Sequence, residues 1–115
     1  DIDLDDLRAA SIKLSERFIA GIESTCPDLT LASPRDPNAR GSQVSFAFDQ
    51  GYAAMQAVID NGVIGDFRAP NIMRFGFTPL YLDEADIDAA VGIIAKVMTQ
   101  KLYTDAKYQT RRRVT

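Results

Sequence analysis

Gly62-Val63-Ile64-Gly65-Asp66-Phe67-Arg68-Ala69-Pro70-Asn71-Ile72-Met73-Arg74-Phe75-Gly76-Phe77 is the stretch whose reading decides the fold. Val63 to Phe67 reads as one strand and Ile72 to Phe77 as another, both rich in apolar and aromatic residues. Arg68-Ala69-Pro70-Asn71 between them is made of turn formers, so the strands are expected to pair antiparallel through a short link. Side chains alternate across a strand. Met73, Phe75 and Phe77 therefore form one apolar face, and Ile72, Arg74 and Gly76 lie on the other.

The flanking segments extend this into a layered body. Before the pair, Tyr52, Met55, Val58 and Ile59 repeat with helical period behind Asp49, which is expected to cap the helix. Asn61-Gly62 ends it, with Gly62 suited to a left-handed position. The same pair could turn a hairpin, but the residues before it repeat at three and four rather than two. Further upstream, Val44, Phe46 and Phe48 alternate with smaller residues in a strand, and Leu29 to Ala32 is a shorter strand candidate. Ser33-Pro34-Arg35-Asp36-Pro37-Asn38 is a loop.

The first helix is expected over about residues 3–24, with Leu4, Leu7, Ser11, Leu14, Phe18 and Ile22 in one stripe. Pro27 stops it near Cys26. Its length suggests that Leu7, Leu14 and Phe18 need cover from elsewhere, and so that the chain associates through them. Downstream, Asp83 or a neighbour caps a last long helix bearing Ile87, Val91, Ile94, Met98 and Leu102. The acidic residues at both helix starts match the helix dipole and read as solvated. The α+β body spans about residues 29–103, and a tail without clear period, 104–115, carries Arg111-Arg112-Arg113. The order helix, strand, strand, helix, strand, strand, helix predicts a single α+β domain over 1–115: two layers, with three helices over a short, mainly antiparallel sheet.

Composition narrows the function. The 115 residues are 46% hydrophobic and 25% charged, enough for one soluble domain with a core. The net charge of −3 argues against nucleic acid, which needs a basic surface. No apolar run spans a bilayer, and no secretory signal is visible, so neither a membrane nor export is expected. Cys26 is the one cysteine, best read as a small buried apolar side chain, and a reducing cytoplasm is the simplest compartment. There is no histidine, which removes Ser-His-Asp and Cys-His chemistry and the commonest metal ligand. No catalytic residue, metal site or cofactor motif is expected in the chain.

Arg74 is the candidate binding residue. An arginine cannot shed its charge, so partial burial demands an anion. One reading is an internal pair with a carboxylate such as Asp66. The other is a guanidinium fork kept for a ligand carboxylate, with Gly76 leaving room beside it. Arg68, in the turn, reads as packing or as a partner of Asp66. Arg40, ahead of Gly41-Ser42, is a similar and weaker candidate. Tyr52, Tyr81, Tyr103 and Tyr108 read as core or edge residues with a wet hydroxyl.

Three blocks, in this order and at these gaps, closely resemble the C-terminal part of bacterial kynureninases. They are Arg40-Gly41-Ser42-Gln43-Val44-Ser45-Phe46, Gly62 to Pro70, and Arg74-Phe75-Gly76-Phe77-Thr78-Pro79-Leu80-Tyr81. The resemblance runs over nearly the whole chain. It implies a small domain of an aspartate-aminotransferase-like enzyme dependent on pyridoxal 5'-phosphate (PLP). The reaction implied is hydrolysis of L-kynurenine, or its 3-hydroxy form, to anthranilate or 3-hydroxyanthranilate and L-alanine, in tryptophan catabolism. It also implies a homodimer and a large domain, preceding this segment, that holds the cofactor lysine. Onto this chain the family carries one role: Arg74, which opens its block, binds the substrate α-carboxylate. Lys13, Lys96, Lys101 and Lys107 are not in a Schiff-base context, so these residues alone are expected neither to hold PLP nor to turn over kynurenine. Two alternatives remain: a small domain of another PLP enzyme, of aminotransferase or cysteine-desulfurase type, and a stand-alone carboxylate-binding regulatory module.

Overall fold

The computed structural model describes residues 3–77 and 82–109. Thr78 to Tyr81 and Arg111-Arg112-Arg113 lie outside the described residues.

Helix α1 (Leu4–Thr25) starts at Asp3, whose carboxylate accepts from the Asp5 N–H at 2.8 Å. It ends where Pro27 follows the C-cap Cys26. Strands β1 (Thr30–Leu31) and β2 (Gln43–Ala47) come next, then helix α2 (Gly51–Asp60), strands β3 (Asp66–Arg68) and β4 (Ile72–Gly76), and helix α3 (Glu84–Thr99). A 3-10 turn (Leu102–Thr104) and a short helix α4 (Ala106–Gln109) give order to the segment read as a tail without period. The sheet runs β1-β2-β4-β3 with every neighbouring pair antiparallel, so β2 inserts beside β4 and the β3–β4 hairpin occupies the far edge.

The expected alternation is present. On β4, Met73 and Phe75 are buried while Ile72 and Arg74 are half-buried and Gly76 is exposed. On β2, Val44 and Phe46 are buried with Ser45 turned to the other side. The apolar face is covered by α1 and α2, with α3 packed against both helices, and the opposite face of the sheet carries the polar residues. Phe18 of α1 is 1% exposed and packs against Phe46, Phe75 and Phe77, with ring centroids 6.1, 5.1 and 4.9 Å away. Burying a side chain of that size contributes roughly 2–3 kcal/mol. Helix α1 also crosses α3 closely: a Cβ on Gly21 would stand 3.0 Å from the Val91 methyls, so glycine permits the approach.

Several expectations need correction. Leu14 and Phe18 are buried in the chain's own core, so they offer no patch for association, and Leu7 is half-buried; the sheet and α3 already cover Leu14 and Phe18. Among the described residues the large exposed apolar side chains are instead Leu4, Ile59 and Ile64. Strand β3 begins at Asp66 rather than Val63. The Val63 N–H is committed to the end of α2, donating to Val58 O at 3.2 Å beside Gly62 at φ 102°, the expected left-handed glycine. Asp49 does not cap α2. Gln50 holds the cap position without a side-chain bond, because Phe48 N–H binds Asn71 O at 3.0 Å and Gly51 N–H binds Phe48 O at 2.9 Å, which sets the turn by backbone alone.

At α3 the capping box is complete: Asp83 accepts from Asp86 N–H, and the Asp86 carboxylate accepts from Asp83 N–H, each at 2.9 Å. The acids of α3 are not merely solvated, however. Glu84 lies 3.2 Å from Lys13 Nζ and 3.3 Å from Arg17, and Asp88 lies 2.7 Å from Arg17, tying α3 to α1.

Candidate functional site

Register places the site. Arg74 is in the middle of β4, directly opposite Ser45 of β2 on one side and Asp66 of β3 on the other. All three lie on the sheet face away from the helices. Arg74 keeps 23% of its side-chain exposure and Asp66 53%. The pair is bidentate: Arg74 Nε donates to Asp66 Oδ1 at 2.9 Å and Nη2 to Asp66 Oδ2 at 2.6 Å. The Arg74 hydrogen bond, opposed by partial desolvation and aided by charge attraction to Arg74 and Arg68, holds the Asp66 carboxyl below its ordinary value. The same bond raises Arg74 further. Thus the internal pair that the sequence allowed does form. It occupies only the side-on edge of the guanidinium. A guanidinium has five N–H donors, and the end-on edge, formed by Nη1 and the second Nη2 hydrogen, is not engaged by any described residue.

Arg74 also borders an open polar hollow of about 520 Å³, lined by Ser33, Arg40, Ser42, Gln43 and Ser45 as well. A Cβ at Gly76, on the same strand as Arg74, or at Gly41, just ahead of β2, would meet nothing within 4 Å among the described residues. A second, mainly apolar hollow of about 450 Å³ opens between α3 and the sheet edge, lined by Phe18, Val63, Ile64, Phe77, Leu82 and Ile93.

The other arginine candidates separate cleanly. Arg40 is buried and structural: its side chain is 2% exposed. Nη1 donates to Pro34 O and Arg35 O at 3.2 and 3.1 Å, and Nη2 to Ser15 Oγ and Glu16 Oε1 at 2.9 and 2.7 Å. It fastens the proline-containing loop onto α1 and so builds one wall of the hollow. Arg68 is exposed, makes no hydrogen bond among the described residues, and contributes only its field to Asp66. Sequence spacing did not expose the contribution of Ser45. Its position beside Arg74 depends on the β2–β4 register, for which the matching alternation of the two strands was the available signal.

The three described tyrosines are packing residues, though the Tyr108 hydroxyl is held by a carboxylate rather than left to solvent. Tyr52 meets Phe67 and Tyr103 meets Phe48 edge-on, and Tyr108 donates its hydroxyl to Asp60 at 2.7 Å. Tyr81 lies outside the described residues. Among the described residues no group of three or more His, Cys, Asp and Glu could hold a metal. No helix among them is long and apolar enough to cross a membrane.

The lysines do not fit a PLP Schiff base. Lys13 is 75% exposed and paired with Glu84, Lys96 and Lys101 are exposed, and Lys107 sits 5.0 Å from the centre of the Tyr108 ring. None lines either hollow.

Comparison with known proteins gives a consistent picture. The profile of the kynureninase C-terminal domain family matches residues 7–94. A kynureninase from Pseudomonas fluorescens is 46% identical over 115 residues, covering 98% of this chain and 28% of the relative. Kynureninases from Burkholderia mallei (strain SAVP1) and Burkholderia pseudomallei (strain K96243) are each 42% identical with the same coverage. The chain thus spans little more than a quarter of the length of these relatives. Among solved structures, a NifS-like protein superposes with a TM-score of 0.72 over 84% of this chain and 29% of that one, at 14% identity, so the likeness is one of fold. With the profile covering residues 7–94, and 46% identity to a kynureninase across 98% of the chain, the chain belongs to the kynureninase C-terminal domain family.

Proposed function

We propose that this chain acts as the C-terminal small domain of a PLP-dependent enzyme that hydrolyses L-kynurenine, or its 3-hydroxy form, to the corresponding anthranilate and L-alanine, and that Arg74 binds the substrate α-carboxylate. The observation that carries this reading is the half-used guanidinium. Arg74 is pinned on one edge by Asp66, its other edge is unengaged among the described residues, and the residue lines an open polar hollow. A planar fork with parallel free N–H groups is shaped for a carboxylate, and a bidentate contact fixes direction as well as position.

Reaction at one bond of an amino acid requires that bond to be held in alignment, and a small misplacement costs rate. The residues described here would supply that alignment and no proton transfer. PLP, when bound, supplies the electron sink. Its lysine belongs on this reading to a large domain of the same enzyme, since the lysines of this chain are placed elsewhere. The enzyme is a cytoplasmic homodimer on this reading, with no part in nucleic-acid or membrane binding.

The test uses the full-length enzyme. Incubation with L-kynurenine should release anthranilate and L-alanine in equal amounts. Release of sulfide from cysteine, or amino-group transfer to a 2-oxo acid, without kynurenine cleavage, would assign the domain to a cysteine-desulfurase-like or aminotransferase-like enzyme instead. Carboxylate binding to the chain without any cofactor-dependent activity would favour a stand-alone regulatory module.

A further inference from the structure

We infer that Asp66 is a positioning residue for the carboxylate site: it presents the end-on edge of Arg74 to the hollow, and it is not displaced by the ligand. The inference rests on the clamp reading of Arg74 and deepens it.

Three observations carry it. First, the two bonds of the pair, 2.9 and 2.6 Å, both lie on the Nε–Nη2 edge. Two parallel bonds to a rigid plane fix its rotation as well as its location. With the side-on edge held, the plane of the guanidinium is set and the Nη1–Nη2 edge has one direction. Second, the pair is cross-strand. Asp66 and Arg74 are direct partners in the β3–β4 ladder, so the carboxylate is delivered by the backbone rather than by a mobile loop. Third, no other described residue holds the fork. Among the described residues Ser45, the opposite cross-strand neighbour, forms no side-chain bond to Arg74, and a Cβ at Gly76 would meet nothing within 4 Å. Without Asp66, a long and flexible side chain would sweep the hollow among several rotamers, and a ligand would have to order it on binding.

The alternative role for Asp66 is that of a competitor, an internal carboxylate that the substrate must expel. Geometry argues against it, because the Nη1–Nη2 edge has no partner among the described residues and can take a carboxylate without expelling Asp66. The two roles predict opposite changes when Asp66 is removed.

The experiment is done in the full-length enzyme with Asp66→Ala and Asp66→Asn, and with Arg74→Ala alongside. Each variant is assayed with L-kynurenine and, as an inhibitor, with L-kynurenine α-carboxamide, which lacks the charge the fork reads. Positioning predicts that Asp66→Ala raises KM for L-kynurenine on the order of tenfold while kcat changes less and the amide's inhibition constant stays put. Asp66→Asn, which keeps an oxygen acceptor for one of the two bonds, should fall between wild type and alanine. A fall in KM would identify Asp66 as a competitor and overturn the inference. Equal weakening of acid and amide would reduce Asp66 to general structure and would overturn it too. If Arg74→Ala discriminates between acid and amide but Asp66→Ala does not, the positioning role fails and the clamp stands. If Arg74→Ala does not discriminate, the clamp itself fails and the inference goes with it.

Discussion

Replacing Arg40 should unfold the loop wall of the hollow long before it disturbs any binding group. Arg40→Met keeps most of the side-chain stem and removes the charged fork. Four bonds are lost at once, to Pro34 O, Arg35 O, Ser15 Oγ and Glu16 Oε1. Their partners are unequal. Glu16 is 49% exposed and recovers hydration, and the two carbonyls belong to an exposed loop. Ser15 is 2% exposed and still donates to Ile12 O at 3.0 Å, but its hydroxyl loses the donor it accepted from. Breaking a buried charged contact costs about 3–5 kcal/mol, and rehydration of these partners places the value near the lower end, about 3 kcal/mol. For a domain of this size that is a fall in Tm of roughly 12 °C. Arg40→Lys keeps a charge but not the fork and should lose about half as much. Thermal unfolding followed by circular dichroism measures both. The exposed Arg68→Met serves as control and should move Tm by no more than about 2 °C. An Arg40→Met transition within that same margin would refute the view that Arg40 staples the loop to α1.

Other consequences follow from the same packing. Phe18→Ala removes the ring shared by Phe46, Phe75 and Phe77 and should cost about 3–5 kcal/mol, read as a lower urea midpoint with unchanged slope. Glu23, Asp66 and Asp88 are each held below their ordinary values chiefly by a hydrogen bond to Arg35, Arg74 and Arg17 respectively. The unfolded chain therefore binds more protons than the folded one at acid pH. Their contribution is fully present above the ordinary carboxylate range and is lost as pH falls through the lowered values. Stability from these three groups should be flat from about pH 8 to 5 and decline below about pH 4, and urea midpoints against pH would read it. Cys26 is 1% exposed and its thiol is pushed up by burial, so a thiol reagent should label it slowly in the native protein and promptly in urea.

The parts of the structure legible in the sequence are those governed by local rules. The α1 stripe from Ser11 to Ile22, the alternation of β2 and β4, the left-handed Gly62 and the Asp83 cap all depend on residues a few positions apart, and all are present, although Leu4 at the start of the stripe is exposed. What escaped depends on contacts between distant segments. Asp49 is a better cap by chemistry than Gln50, yet the approach of Asn71 to Phe48 fixes the turn one residue later. Leu14 and Phe18 lie on a helix that is long for a domain of this size, but the sheet order, which no local rule supplies, gives them cover. Arg40 and Arg74 resemble each other in sequence, each an arginine near a strand with a glycine close by. Tertiary placement makes one a buried staple and leaves the other with an unengaged edge. At Arg74 the sequence offered an internal pair or a ligand fork as alternatives, whereas two edges of one guanidinium allow both together.

The most direct measurement of the central claim is kcat/KM for L-kynurenine in the full-length enzyme carrying Arg74→Ala, with folding checked by its unfolding midpoint. If Arg74 is the carboxylate clamp, kcat/KM falls on the order of a hundredfold or more while the fold persists. A folded Arg74→Ala enzyme that keeps wild-type kcat/KM would contradict it.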